Sequence, residues 1–201
     1  VSSGTRLANI STRGIVRQGD EVLIGGLVIG GTEPKTVILR ARGPSLVDAA
    51  SNLAGRTLDG LSLTVFDGAG TVVTTGQDWQ AHATATQLPD SLRPARAGEA
   101  AVTLTLSPGA YTAIVTGAVA GLAIVEVFEL GDTGPERLLN ISTRGYVGTG
   151  DEVLIGGVII SGADPATVVI RARGPSMAAV APALAGQLLN DPRVRLFDQS
   201  G

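Results

Sequence analysis

Two arginines separated by a single residue are the side chains of this sequence best suited to binding chemistry. Arg40 and Arg42 stand at the end of an apolar run, in the hexapeptide RARGPS at residues 40–45. Side chains at i and i+2 of a strand project to one face. Their planar guanidinium groups could therefore bind a carboxylate or a phosphate together. An internal ion pair with Asp20 or Glu21 would satisfy them equally well, and we favour that structural interpretation.

Other chemistry-bearing residues are few. His82 is the only histidine and the chain has no cysteine, so a transition-metal cluster of these ligands is excluded. No Gly-x-Ser-x-Gly motif supplies a nucleophile for a His-dependent triad. The glycine pairs at 25–26 and 30–31 are not followed by the Gly-Lys-Ser/Thr of a phosphate loop. We expect these glycines to allow a bulge or a close backbone approach, and we expect no enzymatic activity and no catalytic residue.

Three aspartates are weak candidates for calcium. Asp67 and Asp198 occupy equivalent turns, and Asp78 follows nearby. Calcium requires six to eight oxygen ligands, and no EF-hand spacing is present. An Asp-Gly turn explains Asp67 without any metal. We therefore expect no cofactor, with calcium as the remaining alternative.

Aromatic residues make up only 3% of the chain, and the formal net charge is −3. This composition argues against binding to single-stranded nucleic acid, which needs aromatic platforms in a basic groove. Trp79 is the only tryptophan and the best candidate for stacking on a sugar ring. Trp79 and the arginine pairs are therefore the candidate interaction residues.

The chain is duplicated. Residues 6–70 align without a gap to residues 137–201, which lie 131 positions further on, and 36 of the 65 aligned positions are identical. The arginine pair recurs in this way as Arg171 and Arg173. A long self-similar period usually means one folding unit copied along a chain. We predict a complete sandwich repeat at 1–131 and the first half of a second copy at 132–201, with a stiff linker at 131–136.

Within residues 1–201 the second copy reaches only the counterpart of Gly70, so residues 71–130 are present once here. Three explanations remain open at this point. The sequence could be a window cut from a longer array, the second half could come from a neighbouring chain, or the halves could be separate small modules. Since half of a packed unit leaves an apolar face uncovered, this feature bears directly on function.

Strand patterns dominate the sequence. Near-continuous apolar runs at 21–29 and 36–39 are typical of strands covered on both faces. Strict alternation at 61–65 and 102–106 is typical of half-buried antiparallel strands, and a Pro-Gly turn follows at 107–110. These patterns predict an all-β fold, an antiparallel β-sandwich of jelly-roll or Greek-key type, with about eight strands in each repeat.

One short helix is expected in each repeat. In the first copy we predict it at 46–54, with Ser45 as the N-cap and Asp48 completing a capping box. Its counterpart at 177–185 contains a proline and lacks that aspartate, so the signal is weaker there. The segment at 67–70 is predicted to be a hairpin turn.

Several features bear on location. No run of about 18 apolar residues is present, so we expect no membrane-spanning helix. The absence of cysteine fits the cytosol and also fits many bacterial surface proteins. Asn9 and Asn140 match the N-glycosylation sequon, although such matches often arise by chance.

The repeated motifs resemble a known family. The resemblance rests on these segments of the chain: 9–14, 22–26, 40–45 and 63–67, together with Asp78-Trp79, Pro108–Thr112 and Val125–Leu130. With these segments the chain resembles a family of tandem β-repeats from large secreted bacterial proteins. This resemblance implies a secreted or cell-surface protein with a structural or adhesive role, and it carries no activity. Residues 61–78 and 107–116 are also weakly similar to the pre-peptidase C-terminal-like sandwich.

Our leading hypothesis is a non-enzymatic extracellular structural protein. Its sandwich repeats would form a surface array or filament with copies of itself, with strand exchange between units as one way to complete the second copy. The alternative is a carbohydrate- or surface-binding accessory module of a secreted enzyme or adhesin, with a glycan as the partner. An enzyme ranks third.

Overall fold

Alternating apolar and polar residues form antiparallel β-strands in the computed structural model, which describes residues 4–131 and 134–198. Ten strands are formed by these residues: β1 (Arg6–Val16), β2 (Leu23–Gly30), β3 (Lys35–Arg42), β4 (Ser62–Asp67), β5 (Val72–Gly76), β6 (Ala100–Leu106), β7 (Gly109–Thr116), β8 (Gly121–Glu129), β9 (Arg137–Arg144) and β10 (Ile155–Ser161). The predicted all-β fold is therefore confirmed.

The strands form two five-stranded sheets that pack as a sandwich. One has the order β10-β1-β8-β3-β6 and the other has the order β5-β4-β7-β2-β9. The turn at 67–70 closes the β4–β5 hairpin, as predicted, and Asp67 Oδ1 accepts hydrogen bonds from the backbone N–H groups of Ala69 and Thr71. The turn at 107–110 instead carries the chain from β6 to β7 in the opposite sheet. None of the described helices is long and apolar enough to cross a membrane.

The core lies between the two sheets. Inward side chains of one sheet, such as Leu39 and Val102, pack against those of the other, such as Leu27 and Leu63. Full burial of each such side chain contributes about 1.5–3 kcal/mol. The outer face of β3 is also covered, because Ile38 packs in a second cluster with Leu88 and Ala101. The apolar run at 36–39 is thus buried on both faces, as its pattern predicted.

The helical segments are shorter than predicted. The expected helix at 46–54 is only α1 (Leu46–Ala49), since Ala50 adopts an extended conformation. The capping box is absent: Ser45 makes no side-chain cap, and the Asp48 carboxylate binds Arg96 at 2.7 Å. In the second copy, 3-10 helices replace the predicted helix at 177–185. The described 3-10 helices are Ser51–Leu53, Ala85–Gln87, Asp90–Leu92, Gly150–Glu152, Pro175–Ala179 and Pro182–Gln187.

The chain divides into two compact units, Val1–Pro165 and Ala166–Gly201. We expected a boundary at the linker 131–136, of which residues 132 and 133 lie outside the described part. The first unit extends further because β9 pairs with β2 and β10 pairs with β1. The first two strands of the second copy are therefore edge strands of the first sandwich.

The second unit contains two of the 3-10 helices, Pro175–Ala179 and Pro182–Gln187, and no strand among its described residues 166–198. Several of its large apolar side chains are exposed, including Val169 (83%) and Leu196 (75%). Their counterparts in the first copy, Ile38 and Val65, are completely buried. The same type of sequence thus forms core strands in one copy and exposed, irregular chain in the other.

Candidate functional site

The two copies of the duplicated sequence contact each other through their first two strands. β9 and β10 are the sequence counterparts of β1 and β2. β1 pairs with β10 at one sheet edge, and β2 pairs with β9 at the edge of the other sheet. We call these two ladders together the repeat interface.

The register of the repeat interface is reciprocal. Ile10 of β1 lies opposite Val158 of β10. Leu27 of β2 lies opposite Ile141 of β9. Since Ile141 is the counterpart of Ile10 and Val158 is the counterpart of Leu27, the two ladders exchange equivalent positions. The strand pairs are therefore related by a local pseudo-two-fold axis.

Two equivalent threonines meet at this axis. The hydroxyl oxygens of Thr12 and Thr143 are 2.7 Å apart and share a hydrogen bond. Thr12 is buried and Thr143 is half-buried. A hydroxyl can both donate and accept a hydrogen bond. Two copies of the same residue can therefore bond to each other across the axis.

Glycines leave room for side chains of the paired strands. A Cβ on Gly26 would lie 2.6 Å from Ser142 Oγ. At the equivalent place in the other ladder, a Cβ on Gly157 would lie 2.8 Å from Ser11 Oγ. The crowding at Gly26 comes from a serine side chain of the other copy and not from the expected close backbone approach, since the nearest backbone atom would lie 3.8 Å from this Cβ.

Apolar side chains of the second copy enter the core of the first sandwich. Leu138 of β9 is buried in the main core cluster, and Ile141 and Leu154 pack against it. Burial of apolar surface is the main favourable term in association. The repeat interface is therefore held by side-chain burial as well as by backbone hydrogen bonds.

Charged residues surround one end of the repeat interface. Arg17 lies over the ring of Tyr146, 3.5 Å from its centroid, and contacts Glu152 at 3.4 Å. Arg56 binds Asp151 at 2.8 Å, and its hydrogen bond and positive charge hold the pKa of the Asp151 carboxyl below its usual value. The Arg56–Asp151 pair is exposed and the Arg17–Glu152 pair is partly exposed, so we expect both to contribute little to stability.

The predicted interaction pair Arg40 and Arg42 binds a carboxylate of the same sheet. Both guanidinium groups contact Glu126 of β8, at 2.6 Å from Arg40 and 2.9 Å from Arg42. Burial favours a raised pKa for Glu126, but the hydrogen bonds from both arginines outweigh it and lower the pKa. The pair is therefore an internal ion pair, and its partner is Glu126 instead of the expected Asp20 or Glu21.

A second carboxylate fixes the turn that follows these arginines. Glu99 is completely buried, and its Oε1 accepts hydrogen bonds from the backbone N–H groups of Gly43 and Ser45 at 3.0 and 2.9 Å. Its Oε2 has no partner among the described residues. Sequence reasoning missed both Glu126 and Glu99, because neither is near the arginines in the chain.

The counterparts Arg171 and Arg173 are exposed. Arg173 makes long hydrogen bonds of 3.3 and 3.4 Å to the hydroxyl and carbonyl oxygens of Ser176. No described carboxylate lies within ion-pair distance of either arginine. The arginine pair is therefore ion-paired with a described carboxylate in the first copy and not in the second.

Trp79 and His82 lie in the irregular segment that covers one sheet. Trp79 packs against the cluster around Ile38, and Arg93 lies 6.0 Å from its ring centroid. His82 contacts the hydroxyls of Thr74 and Thr84 at 3.1 and 2.9 Å. The described residues lining the groove beside His82 include Asp78 and no serine, so no Ser-His-Asp arrangement forms at this place.

Two of the three calcium candidates bind nearby backbone N–H groups. Asp67 holds the β4–β5 turn, Asp78 Oδ1 accepts a hydrogen bond from the N–H of Gln80, and Asp198 is exposed. In the described part of the chain, no three His, Cys, Asp or Glu residues are placed to hold a metal. At the two sequons, Asn9 is buried and donates to the Val127 carbonyl, whereas Asn140 is exposed.

No protein-family model matches the chain, and neither does any curated protein or solved structure. The structure itself defines an all-β antiparallel sandwich of two five-stranded sheets.

Proposed function

We propose that this chain is a non-enzymatic structural protein of the cell surface or extracellular space, built from β-sandwich units that join through the repeat interface. The observation that carries the proposal is the reciprocal register of β1–β10 and β2–β9. Pairing between equivalent strands of successive copies is a means of joining units, and the duplicated chain uses it within one molecule. The extracellular location rests on the family resemblance of the repeated motifs.

The symmetry of the interface limits how such an array can grow. An interface related by a two-fold axis uses the same surface on both partners, so it closes after two units. In this proposal the repeats associate as pairs, and an array or filament extends by linking pairs along a chain or through other edges. Open-ended strand exchange through β1 and β2 would need an interface without this symmetry.

The accessory-module alternative has no specific support. Trp79, its best candidate for sugar stacking, is packed against buried side chains with an arginine near its ring. The arginines Arg40 and Arg42 are occupied by Glu126. We therefore retain the structural role as the single proposal.

The proposal is tested on the cells that produce the protein. Antibodies raised against the purified chain should label intact cells, and electron microscopy of released surface material should show regular arrays that the antibodies decorate. A cytosolic marker protein serves as the control for cell integrity. Labelling only after lysis, or soluble protein without any assembly, would refute the structural surface role.

A further inference from the structure

The second compact unit corresponds in sequence to the stretch that contains the core strands β3 and β4, but several of its large apolar side chains are exposed. Phe197 is 67% exposed, and its counterpart Phe66 is half-buried within β4. Val169 and Leu196, noted above, differ in the same way from Ile38 and Val65. In the first copy, β6 and β8 flank β3, and β5 and β7 flank β4. The exposed residues of the second unit are thus those that strands of this type would bury.

The second unit also retains local geometry of the first copy. A Cβ on Gly43 would meet the Leu58 carbonyl oxygen, and a Cβ on Gly174 would meet that of Leu189, its counterpart. The backbone N–H of Met177 donates to the Gly174 carbonyl at 2.9 Å, matching the 3.0 Å bond from Leu46 to Gly43. The turn that receives Glu99 in the first copy therefore has a similar form in the second. Preformed geometry lowers the entropic cost of binding.

The hydrogen-bond donors of the second unit indicate which side chains a binding segment must carry. Arg171 and Arg173 match the two arginines that bind Glu126. Gly174 and Ser176 match the backbone donors that bind Glu99. A completing segment must therefore carry two glutamates, one in a central strand and one ahead of an edge strand. Residues 71–131 carry both.

Residues 1–201 contain the first half of the unit twice and the second half once. Exchange of segments among copies of these 201 residues would leave one first half open in every molecule. We propose that residues 137–198 bind a further segment of the 71–131 type, additional to the one within these residues. This inference deepens the proposed structural role and rests on it.

The first sandwich predicts the register of this segment. β1 pairs on its other side with β8, and β2 pairs on its other side with β7. The free edge of β9 should accordingly accept the β8-type strand, and the free edge of β10 should accept the β7-type strand. The exposed apolar residues of β10, including Ile159 and Ile160, lie on the strand that would be covered.

The test is a chain with a copy of residues 71–131 appended after Gly201, compared with the 201-residue chain. Backbone amides of residues 167–173 should exchange hydrogen rapidly in the 201-residue chain and become protected in the extended chain. Equal, rapid exchange in both chains would overturn the inference. It would leave the cell-surface test of the proposed function unaffected, so the two failures can be told apart.

Arg171→Ala provides the matched variant. In the 201-residue chain it should leave exchange and unfolding unchanged, because Arg171 is exposed. In the extended chain it should reduce the protection of residues 167–173 about a hundredfold, since it breaks a buried pair with the counterpart of Glu126. An equal effect in both chains would show that the predicted register is wrong.

Discussion

Thr12 and Thr143 occupy the same position in the two copies of the sequence, and their hydroxyl oxygens are 2.7 Å apart. The contact places the local pseudo-two-fold axis between them. A residue can meet its own counterpart in this way only where two equivalent surfaces face each other. This pair of hydroxyls therefore marks the centre of the repeat interface.

A double-mutant cycle on this pair should show strong coupling. Thr143→Val leaves the buried Thr12 hydroxyl without its partner, at a cost of about 1–3 kcal/mol. Thr12→Val leaves the half-buried Thr143 hydroxyl unpaired, at a lower cost because water can reach it. The double variant should cost less than the sum of the two single variants. Urea unfolding measures all three free energies.

Thr36 and Thr105 provide the control, because their hydroxyls are 3.0 Å apart on an exposed surface of β3 and β6. The same cycle at this pair should give a coupling energy close to zero. Additive costs at Thr12 and Thr143 would mean that their hydroxyls do not meet in solution.

The effect of replacing a β10 glycine on stability should depend on the face of the strand to which that glycine belongs. Gly157→Val introduces a Cβ at 2.8 Å from Ser11 Oγ, and overpacking of this kind costs about 1–3 kcal/mol. Gly156→Val, one residue away, meets nothing within 4 Å and should be nearly neutral. Thermal unfolding distinguishes the two variants.

Because the two ladders are equivalent, the corresponding glycine of β2 should respond in the same way. Gly26→Val faces Ser142 as Gly157→Val faces Ser11, so the two variants should lower stability in the same direction. Opposite effects of the two variants would contradict the reciprocal pairing of the two ladders.

Removal of Glu126 should destabilise the first sandwich. Glu126→Ala leaves Arg40 and Arg42 without a carboxylate in a mostly buried place, at a cost of about 3 kcal/mol. Asp90→Ala removes a comparable but exposed partner, that of Arg93, and should change the unfolding free energy little. Similar losses for both variants would contradict the assigned role of Glu126.

The stability of the chain should also depend on pH through Glu126. Its folded-state pKa is lowered by the two arginines from the ordinary value of 4.5. The stabilisation is therefore complete above about pH 4.5 and is lost as the pH falls through the lower folded-state pKa. Unfolding free energies measured on both sides of pH 4.5 should decline less in Glu126→Ala than in the unmodified chain.

The open edge of β10 should promote association of the 201-residue chain. Ile159 is 56% exposed on this edge strand, and exposed apolar edges pair with other chains. Ile159→Lys should weaken association, measured by sedimentation over a concentration range. Val119→Lys, 58% exposed and in the loop between β7 and β8, is the matched control and should leave it unchanged. A chain that is monomeric at every concentration would contradict this prediction.

Local patterns were sufficient to predict the class of fold. The alternation at 61–65 and 102–106 and the turn at 67–70 correspond to β4, β6 and the β4–β5 hairpin. The apolar run at 36–39 correctly indicated a strand buried on both faces. In each case, burial and turn chemistry act over a few residues and leave a periodic signal.

Pairings between distant residues could not be predicted in the same way. Arg40 and its partner Glu126 are 86 positions apart, and no local pattern connects them. The helix at 46–54 was overpredicted: it ends at Ala49 because Ala50 is extended, and Asp48 binds Arg96 instead of capping the helix. The reciprocal pairing of the copies likewise joins residues far apart in the chain, since Ile10 lies opposite Val158 and Leu27 lies opposite Ile141.

The central claim is that the first two strands of each copy pair reciprocally within one molecule. Cross-strand nuclear Overhauser effects in the isotope-labelled 201-residue chain test it most directly. Backbone contacts are predicted between Ile10 and Val158 and, equally, between Leu27 and Ile141. They should persist when labelled chain is diluted with unlabelled chain. Absence of both contacts, or their loss on dilution, would contradict the account.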